Sequence, residues 1–313
     1  MALTTHSTAP VPLVTHSLVL RPPSGLSSSW KRTQKIRYGS STALLGTSPG
    51  GENLHWGPAY GAQLPDGTWW YADAAKRRLA HYDKAGRYLG RVKLPKRHLA
   101  QGVYFQWANP FALADGTLVL TSTTIDSPGL LRLGPGGTVT RVPMTRFVHI
   151  VLSDGTKLYG FDDDAQRVRV NPRTGKVSGV TAFTGQGGRT FDLVVAAGHL
   201  LLTRPGVNLR FDLVDAGYPS LTVHPSVEVA MSANGRLWIL IAGVTELSPD
   251  TAHTVLGITS VDADGNISAV GRVRTLTSDS DPGDGKHLGV RYGGTRPTLM
   301  FVGTDAVRVY RKN

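Results

Sequence analysis

The chain has 313 residues, of which 40% are hydrophobic and 18% are charged, so it can form one large domain or two small ones around a substantial core. This composition excludes a wholly disordered protein, and the lack of Cys excludes disulfide scaffolds, thiolate zinc sites and cysteine nucleophiles. The 34 Lys and Arg residues outnumber the 22 Asp and Glu residues, which gives a formal net charge of +12.

The N-terminal residues 1–30 are rich in Ser, Thr and Pro and predict a loosely held arm. They lack the early basic residues and the apolar run of a secretory leader, so the default expectation is a cytoplasmic protein. A trimmed leader, or a surface or virion component, is the alternative. The apolar stretches at 193–202 and 237–244 are much shorter than the ~20 residues of a membrane-spanning helix. The sequence does not predict an oligomeric state.

The positive charge is concentrated in residues 1–100, which contain 14 Lys and Arg against 4 acids. A cluster of this kind can attract an anionic partner, whereas the alternative is a solvated surface that only keeps the protein soluble. The predicted anion-binding residues of this basic flank are Lys31, Arg32, Lys35, Arg37, Lys76, Arg77, Arg78, Arg87, Arg91, Lys93, Lys96 and Arg97.

Six short turn sequences recur along the chain, and each is followed by a segment rich in aliphatic and aromatic residues. The turns lie at Asp66, Asp115, Asp154, Ala197, Asn234 and Gly293-Gly294. Asp-Gly and Asn-Gly pairs adopt the positive φ angles of tight hairpins, so each unit of about 40 residues predicts a small antiparallel sheet.

Six such units without long amphipathic helices predict an all-β fold, a six-bladed β-propeller. A large β-sandwich is the alternative. The last unit has three strands, so we expect a strand from the N-terminal part, either 34–38 or 13–20, to close the ring. The predicted organisation is an arm at 1–30 and a single propeller domain at 31–313.

The first unit, residues 56–92, resembles one NHL-type repeat. The matching residues are Pro58, Gly61, Tyr71-Ala72-Asp73, Arg78-Leu79, Tyr82-Asp83 and Gly86. The unit is also similar to the opening blade of the senescence-marker/gluconolactonase family of six-bladed propellers. The NHL resemblance implies binding of proteins or RNA, whereas the lactonase resemblance implies sugar-lactone hydrolysis with a divalent metal. Trp56 stands where the lactonase family has its metal-binding Glu, which argues against lactonase activity.

Propeller sites take residues from several blades, so candidates are found at equivalent positions before each turn. Counting back five or six residues predicts a channel-facing ring of Tyr60, Asn109, His149, Asp192, Glu228 and His287. The imidazoles and carboxylates of His149, Asp192, Glu228 and His287 would suit one divalent metal ion, and they would also suit a His general base oriented by an acid. Tyr60 and Asn109 would orient the substrate. A solvated structural channel is the alternative.

The sequence therefore supports three classes of function. The first is a binding or scaffold propeller whose basic flank engages an anionic polymer or an acidic protein surface; nucleic acid is less favoured because few aromatic residues interleave the basic ones. The alternative is a metal-dependent lyase or hydrolase at the channel mouth, with His149, His287, Tyr60 and Asn109 as the candidate catalytic residues. The third is a structural module of a larger assembly. Whether the protein is an enzyme stays open, with binding favoured.

Overall fold

The protein is an assembly of short β-strands. The structure, a computed structural model, describes residues 10–21, 29–46, 48–49, 55–56, 61–73, 75–94, 110–121, 128–248, 251–270, 286–303 and 305–313. Within them, the one helical element is a 3₁₀ turn at Gln186–Gly188. None of the described helical structure is long and apolar enough to span a membrane. The all-β prediction is confirmed.

Residues 14–179 contain sixteen of the described strands. They are β1 (Val14–Leu20), β2 (Trp30–Arg37), β3 (Ser48–Pro49), β4 (His55–Trp56), β5 (Gly61–Gln63), β6 (Trp69–Asp73), β7 (Arg78–Tyr82), β8 (Tyr88–Lys93), β9 (Pro110–Ala112), β10 (Leu118–Thr121), β11 (Gly129–Leu133), β12 (Val139–Pro143), β13 (Val148–Ser153), β14 (Leu158–Asp162), β15 (Arg167–Val170) and β16 (Val177–Gly179).

Residues 183–312 continue the same pattern. Its described strands are β17 (Phe183–Thr184), β18 (Thr190–Ala196), β19 (His199–Arg204), β20 (Val207–Asp215), β21 (Val223–Met231), β22 (Leu237–Ser248), β23 (Thr251–Val261), β24 (Ile267–Val270), β25 (Lys286–Val290), β26 (Pro297–Val302) and β27 (Ala306–Lys312).

In the described residues these strands form six sheets of four or five strands and a two-stranded sheet of β3 and β4. Sheet 1 is β5–β8, sheet 2 is β9–β12, sheet 3 is β13–β16 and sheet 5 is β21–β24, each in chain order. Sheet 4 contains β17–β20 with β1 at its edge, and sheet 6 contains β25–β27 with β2 at its edge. Neighbouring strands are antiparallel except β1 and β20, which are parallel.

The hairpins between the first and second strands follow from local chemistry. In sheet 1, Asp66 Oδ1 accepts hydrogen bonds from the backbone N–H and the hydroxyl of Thr68, and Gly67 has a φ of +90°. Asp154 accepts the same two hydrogen bonds from Thr156 in sheet 3. An Asp followed by Gly and Thr thus fixes its own tight turn, which is why these hairpins are readable from sequence.

Apolar side chains fill the space between successive sheets. One cluster joins sheets 1 and 2, the next joins sheets 2 and 3, a third joins sheets 3 to 5, and a fourth joins sheets 5 and 6. A fifth cluster packs Ile36, Met300 and Val309 of sheet 6 against Trp69 and Tyr71 of sheet 1. Each sheet therefore buries both faces, as the blades of a β-propeller do.

The two N-terminal strands join different sheets. β2 pairs antiparallel with β27, with Trp30 opposite Lys312 and Arg37 opposite Ala306. β1 lies parallel to β20, with Leu20 fully buried, and Arg21 then bridges to Leu256 of sheet 5. Residues 14–21 of the predicted arm thus pair with strands of sheets 4 and 5, and Trp30 at the end of that arm already belongs to β2.

The turn after β2 is anchored to sheet 1 by an interior ion pair. Arg78 is 1% exposed; its Nε donates to Asp73 Oδ2 at 2.7 Å, and its terminal nitrogens donate to the carbonyls of Thr42 and Leu44. Lys76 donates to the carbonyls of Ser41 and Leu44. These groups fix one side of the turn at 41–44 and tie it to the end of β6.

Candidate functional site

A cavity of about 270 Å³ lies among the first strands of the sheets. Its walls come from β5, β9, β13, β21 and β25, with further contributions from the hairpin turns that follow some of these strands. Apolar side chains line much of it, and the polar groups include His149, Glu228, His287 and Arg291. This is the position at which the sequence predicts a polar channel.

The hairpin turns meet at one end of this cavity. Gln186 Oε1 accepts a hydrogen bond from the backbone N–H of Gly293, and its amide nitrogen donates to the carbonyl of Arg291 at 3.4 Å. The ring of Tyr292 packs on Gly155 so closely that no room is left for a Cβ there. Side chains of sheets 4 and 6 therefore narrow the cavity at this end.

Glu228 and His287 form the best-defined polar contact in the cavity. Glu228 Oε1 lies 2.7 Å from His287 Nδ1, and Oε2 accepts a hydrogen bond from the backbone N–H of Leu288, also at 2.7 Å. The carboxylate is thus held at both oxygens. β21 supplies the Glu and β25 supplies the His, so two sheets must pack together to form the pair.

His149 lines the same cavity from β13, with an exposed side chain. It lies opposite Phe161 of β14, and the register shifts between Ile150 and Leu152. This irregularity adds one residue between His149 and the turn of sheet 3 relative to an uninterrupted strand. The predicted residues Tyr60 and Asn109 lie outside the described residues.

Asp192 does not join the other three predicted residues. It lies on β18, the second strand of sheet 4, and its Oδ1 is 2.6 Å from Nε of Arg167 in sheet 3. The first-strand turn of sheet 4 is Gly185–Arg189, where the N–H of Gly185 donates to the carbonyl of Arg189. Ala197 occupies the following turn, so counting back from it gives the wrong strand. Counting back five residues from Gln186, which precedes the positive-φ Gly187, instead gives Thr181, an exposed residue.

Among the described residues, no three His, Asp or Glu side chains lie close enough together to hold a metal ion. Of the four predicted ligands, Glu228 and His287 contact each other, and Asp192 forms an ion pair with Arg167. The divalent metal in the channel therefore stays a prediction, with no cluster in this part of the chain to support it.

The basic flank is divided between exposed and interior side chains. Lys31, Arg32, Lys35 and Arg37 are exposed on β2, and Lys35 also pairs with Asp305 at 3.3 Å. β2 lies beside the hairpin between β7 and β8. The side-chain amide of Gln34 on β2 donates a hydrogen bond to the carbonyl of Asp83 in that hairpin at 2.7 Å. The two basic segments are therefore adjacent. Arg77 of the turn before β7, and Arg91 and Lys93 of β8, are exposed as well.

Three other members of the flank have structural partners. The structure corrects the prediction that Arg78 binds an anionic partner. Arg78 lies in the interior with Asp73 and cannot contact a partner's anion, because its guanidinium neutralises a carboxylate that is 0% exposed. Lys76 is half-buried and bound to carbonyls, and burial lowers its pKa. Arg87 pairs with Asp83 at 2.6 Å on the surface. Lys96 and Arg97 lie outside the described residues.

Sequence reasoning missed Gln186 and Arg291, which line the turn end of the cavity. Gln186 was missed because its turn has the sequence Gly-Gln-Gly-Gly-Arg and lacks an Asp-Gly pair. Arg291 was missed because only residues before the turns were counted. Inspecting the first turn residue of each unit would have found it.

Four-stranded sheets packed face to face around a cavity define a β-propeller-like protein, and the predicted resemblance to propellers is confirmed at that level. The DUF7485 family, described as a domain of unknown function, matches residues 28–312, and the chain belongs to this family. No curated protein matches the sequence significantly.

Several solved structures are similar in fold. A catalytically inactive virginiamycin B lyase from Staphylococcus aureus with quinupristin has a TM-score of 0.47 and 9% identity, over 90% of this chain and 99% of that one. A DUF4221 member from Bacteroides vulgatus has a TM-score of 0.47 and 10% identity, over 96% and 97%. A calcium-binding regucalcin from Agrobacterium tumefaciens has a TM-score of 0.41 and 13% identity, over 95% and 97%. Similarity at this level transfers neither an activity nor a ligand.

Proposed function

We propose that sheets 1–6 are the blades of a single six-bladed β-propeller, and that β2 closes the ring by completing sheet 6. The packing of sheet 6 on sheet 1 supports this arrangement. So does the hydrogen bond from the Tyr71 hydroxyl to Gln34 Oε1 at 2.6 Å, which joins the two sheets. In this arrangement the cavity lies on the propeller axis.

We propose further that the cavity binds a small molecule and that Glu228 and His287 carry out acid–base chemistry on it. The contact between Glu228 Oε1 and His287 Nδ1 supports the proposal, because a carboxylate at Nδ1 favours the imidazole tautomer with its lone pair on Nε2. That tautomer is the form of a general base. The reaction classes are elimination and hydrolysis, in which the imidazole accepts a proton from carbon or from water.

The four methionines provide a direct test of binding. Met231 and Met300 are core residues that also line the cavity, whereas Met144 lies in the core between sheets 2 and 3 and does not line it. With ¹³C-methyl methionine in the full chain, a fragment library screened by NMR should shift Met231 and Met300 and leave Met144 unchanged. A library whose hits shift Met144 or surface groups and never Met231 or Met300 would contradict a ligand site in the cavity.

The acid–base role has a separate readout. Lactones, esters and elimination substrates built on the fragment hits should be turned over, and Glu228→Gln and His287→Gln should each lower the rate by about 10²- to 10⁴-fold while the hits still bind. The matched control is His199→Gln, because His199 is a half-buried imidazole on β19 outside the cavity. Equal rates in wild type, Glu228→Gln and His287→Gln would refute the role.

A second candidate function is binding of an anionic polymer or an acidic protein surface by the exposed Lys and Arg of β2 and β8. The adjacency of β2 and the β7–β8 hairpin favours it, because it combines two basic segments into one surface. Heparin affinity should fall linearly on a log–log plot against salt, and replacing Lys31, Arg32 and Arg37 by Gln should reduce the slope by about 2–3.

The control for this surface is a charge-matched triple replacement of Lys157, Arg173 and Lys176, which lie in the hairpins of sheet 3. The control should change the slope much less. Equal losses in both triple variants, or no heparin binding at low salt, would remove this candidate.

A further inference from the structure

The two oppositely charged residues that line the cavity are not paired with each other. Among the described lining residues these are one Glu, Glu228, and one Arg, Arg291. Glu228 is engaged by His287 and by the backbone of Leu288. No carboxylate of the described residues lies within ion-pair distance of Arg291, whereas Arg146, Arg167 and Arg236 each have such a partner. Within the described residues, the cavity therefore contains a guanidinium that forms no ion pair.

Arg291 is held in place by its backbone. Its carbonyl accepts hydrogen bonds from the N–H of Gly294 at 2.8 Å and from the amide of Gln186 at 3.4 Å. The side chain is half-buried and extends to the turn of sheet 1, where one guanidinium nitrogen approaches Gly67. The cation thus lies at the turn end of the cavity, whereas Glu228 and His287 lie farther along the first strands.

Between these two ends the lining combines polar and apolar residues. The polar ones include Gln63, Ser153 and Ser226, and the apolar ones include Phe111, Leu288 and Met300. The volume of about 270 Å³ lies just below the range of about 300–1,000 Å³ that is typical of pockets for drug-sized ligands. A ligand that matches these features is small and carries one anionic group.

We propose that the cavity is selective for small organic carboxylates, whose carboxylate pairs with Arg291 while the opposite end of the molecule faces His287. This inference rests on the proposed function of the cavity and names its substrate class. A single guanidinium matches a single carboxylate, because its planar fork donates two parallel hydrogen bonds to the two oxygens. A phosphoryl dianion would leave charge unmatched, since the described lining offers one permanent cation.

The test uses matched sets of small probes on the full-length protein. Benzoate, phenylacetate and 3-phenylpropionate are each compared with the corresponding primary amide and primary amine, and phenylphosphonate is included as a second anion. Binding is followed by the methyl signals of Met231 and Met300 and by calorimetry at low salt. We expect the carboxylates to bind at least about tenfold more tightly than the amides and amines, and phenylphosphonate to bind more weakly than benzoate.

Two variants on one turn separate a cavity contact from general surface charge. Arg291→Gln should lower carboxylate affinity by about 10- to 100-fold and leave amide affinity unchanged. Arg296→Gln is the matched control, because Arg296 is an exposed arginine five residues later that does not line the cavity. It should change neither affinity. Arg291→Lys, which keeps the charge, should retain part of the preference and guards against misfolding of Arg291→Gln.

The outcomes distinguish this inference from the function on which it rests. Amides and amines that shift Met231 and Met300 as strongly as the carboxylates would overturn the inference and leave the ligand site intact. Equal losses in Arg291→Gln and Arg296→Gln would overturn it too, since the effect would then come from surface charge. Probes that never shift Met231 or Met300 would count against the ligand site itself.

Discussion

Replacing Arg78 by Ala should be strongly destabilising, although sequence reasoning places this residue on a binding surface. The substitution leaves the Asp73 carboxylate, which is 0% exposed, with a backbone N–H of Gly46 at 3.1 Å as its remaining described partner. It also removes the donors to the carbonyls of Thr42 and Leu44. Breaking a buried ion pair by removing one partner costs about 3–5 kcal/mol.

The expected shift in melting temperature follows from the size of the chain. An unfolding entropy of about 2.1 cal/mol/K per residue amounts to about 0.66 kcal/mol/K for this chain, so Arg78→Ala should lower Tm by about 5–8 °C. Calorimetry or circular dichroism at low and high salt measures this shift. Because the pair is buried, the shift should depend little on salt.

Arg87→Ala is the matched control, since it removes an Arg–Asp pair in the same sheet whose Arg side chain is 84% exposed. Exposed pairs contribute about 0–1 kcal/mol, so Tm should fall by less than about 1.5 °C. The double variant Asp73→Asn/Arg78→Met removes both charges and should recover part of the loss. A Tm for Arg78→Ala within a degree of wild type, or equal to that of Arg87→Ala, would refute the interior role of Arg78.

Three further predictions address other parts of the fold. Leu20→Ala should lower the free energy of unfolding by about 2–5 kcal/mol, because Leu20 is fully buried in the core of sheets 3–5. The control Val19→Ala, on the exposed side of β1, should lower it by under about 0.5 kcal/mol. Equal melting temperatures of the two variants would show that β1 is not packed against this core. Gly155→Ala should destabilise by more than about 1 kcal/mol, because φ is +95° and Tyr292 fills the space, and Tyr292→Ala should relieve part of this loss in chemical denaturation. Burial lowers the pKa of His81, so as the pH falls the unfolded chain takes up a proton at this residue, near pH 6.5, before the folded chain does. The free energy of unfolding should therefore decrease as the pH drops from 7 toward 5. The decrease should be smaller in His81→Phe, which keeps the stacking on Trp70. Identical pH slopes in wild type and His81→Phe would contradict that assignment.

The hairpins could be predicted because their chemistry is local. Asp66 and Asp154 bond to residues two positions away, so the sequence around each turn is sufficient. Counting back from the turns leads to Glu228 and His287 on the first strands of sheets 5 and 6, because these strands have no register shift before their turns. The channel-facing residue of the fourth unit was predicted wrongly, because the turn at Gly185–Arg189 has no Asp-Gly pair. The later Ala197-Gly198 pair resembles the turns of the other units.

Other features could not be predicted because they depend on contacts between distant segments. Arg78 lies within a basic run, and nothing near it in sequence reveals that it binds carbonyls of residues 42 and 44. The destination of β1 is equally nonlocal, since Leu20 packs with residues of sheets 3–5 that follow it by more than 130 positions. A run of basic residues predicts an exposed surface. Tertiary packing decides which of those basic side chains are buried instead.

The pairing of β2 with β27 has a consequence for how the protein is made. Trp30 and Lys312 are opposite each other in the sheet, so about 280 residues separate the synthesis of these two partners. At translation rates of about 5–20 residues per second, β2 waits roughly 15–60 s for the strand that completes its sheet. During that interval the nascent chain presents the unsatisfied backbone of β2 and the side chains of Trp30 and Ile36, so aggregation of the emerging chain competes with the final step of folding.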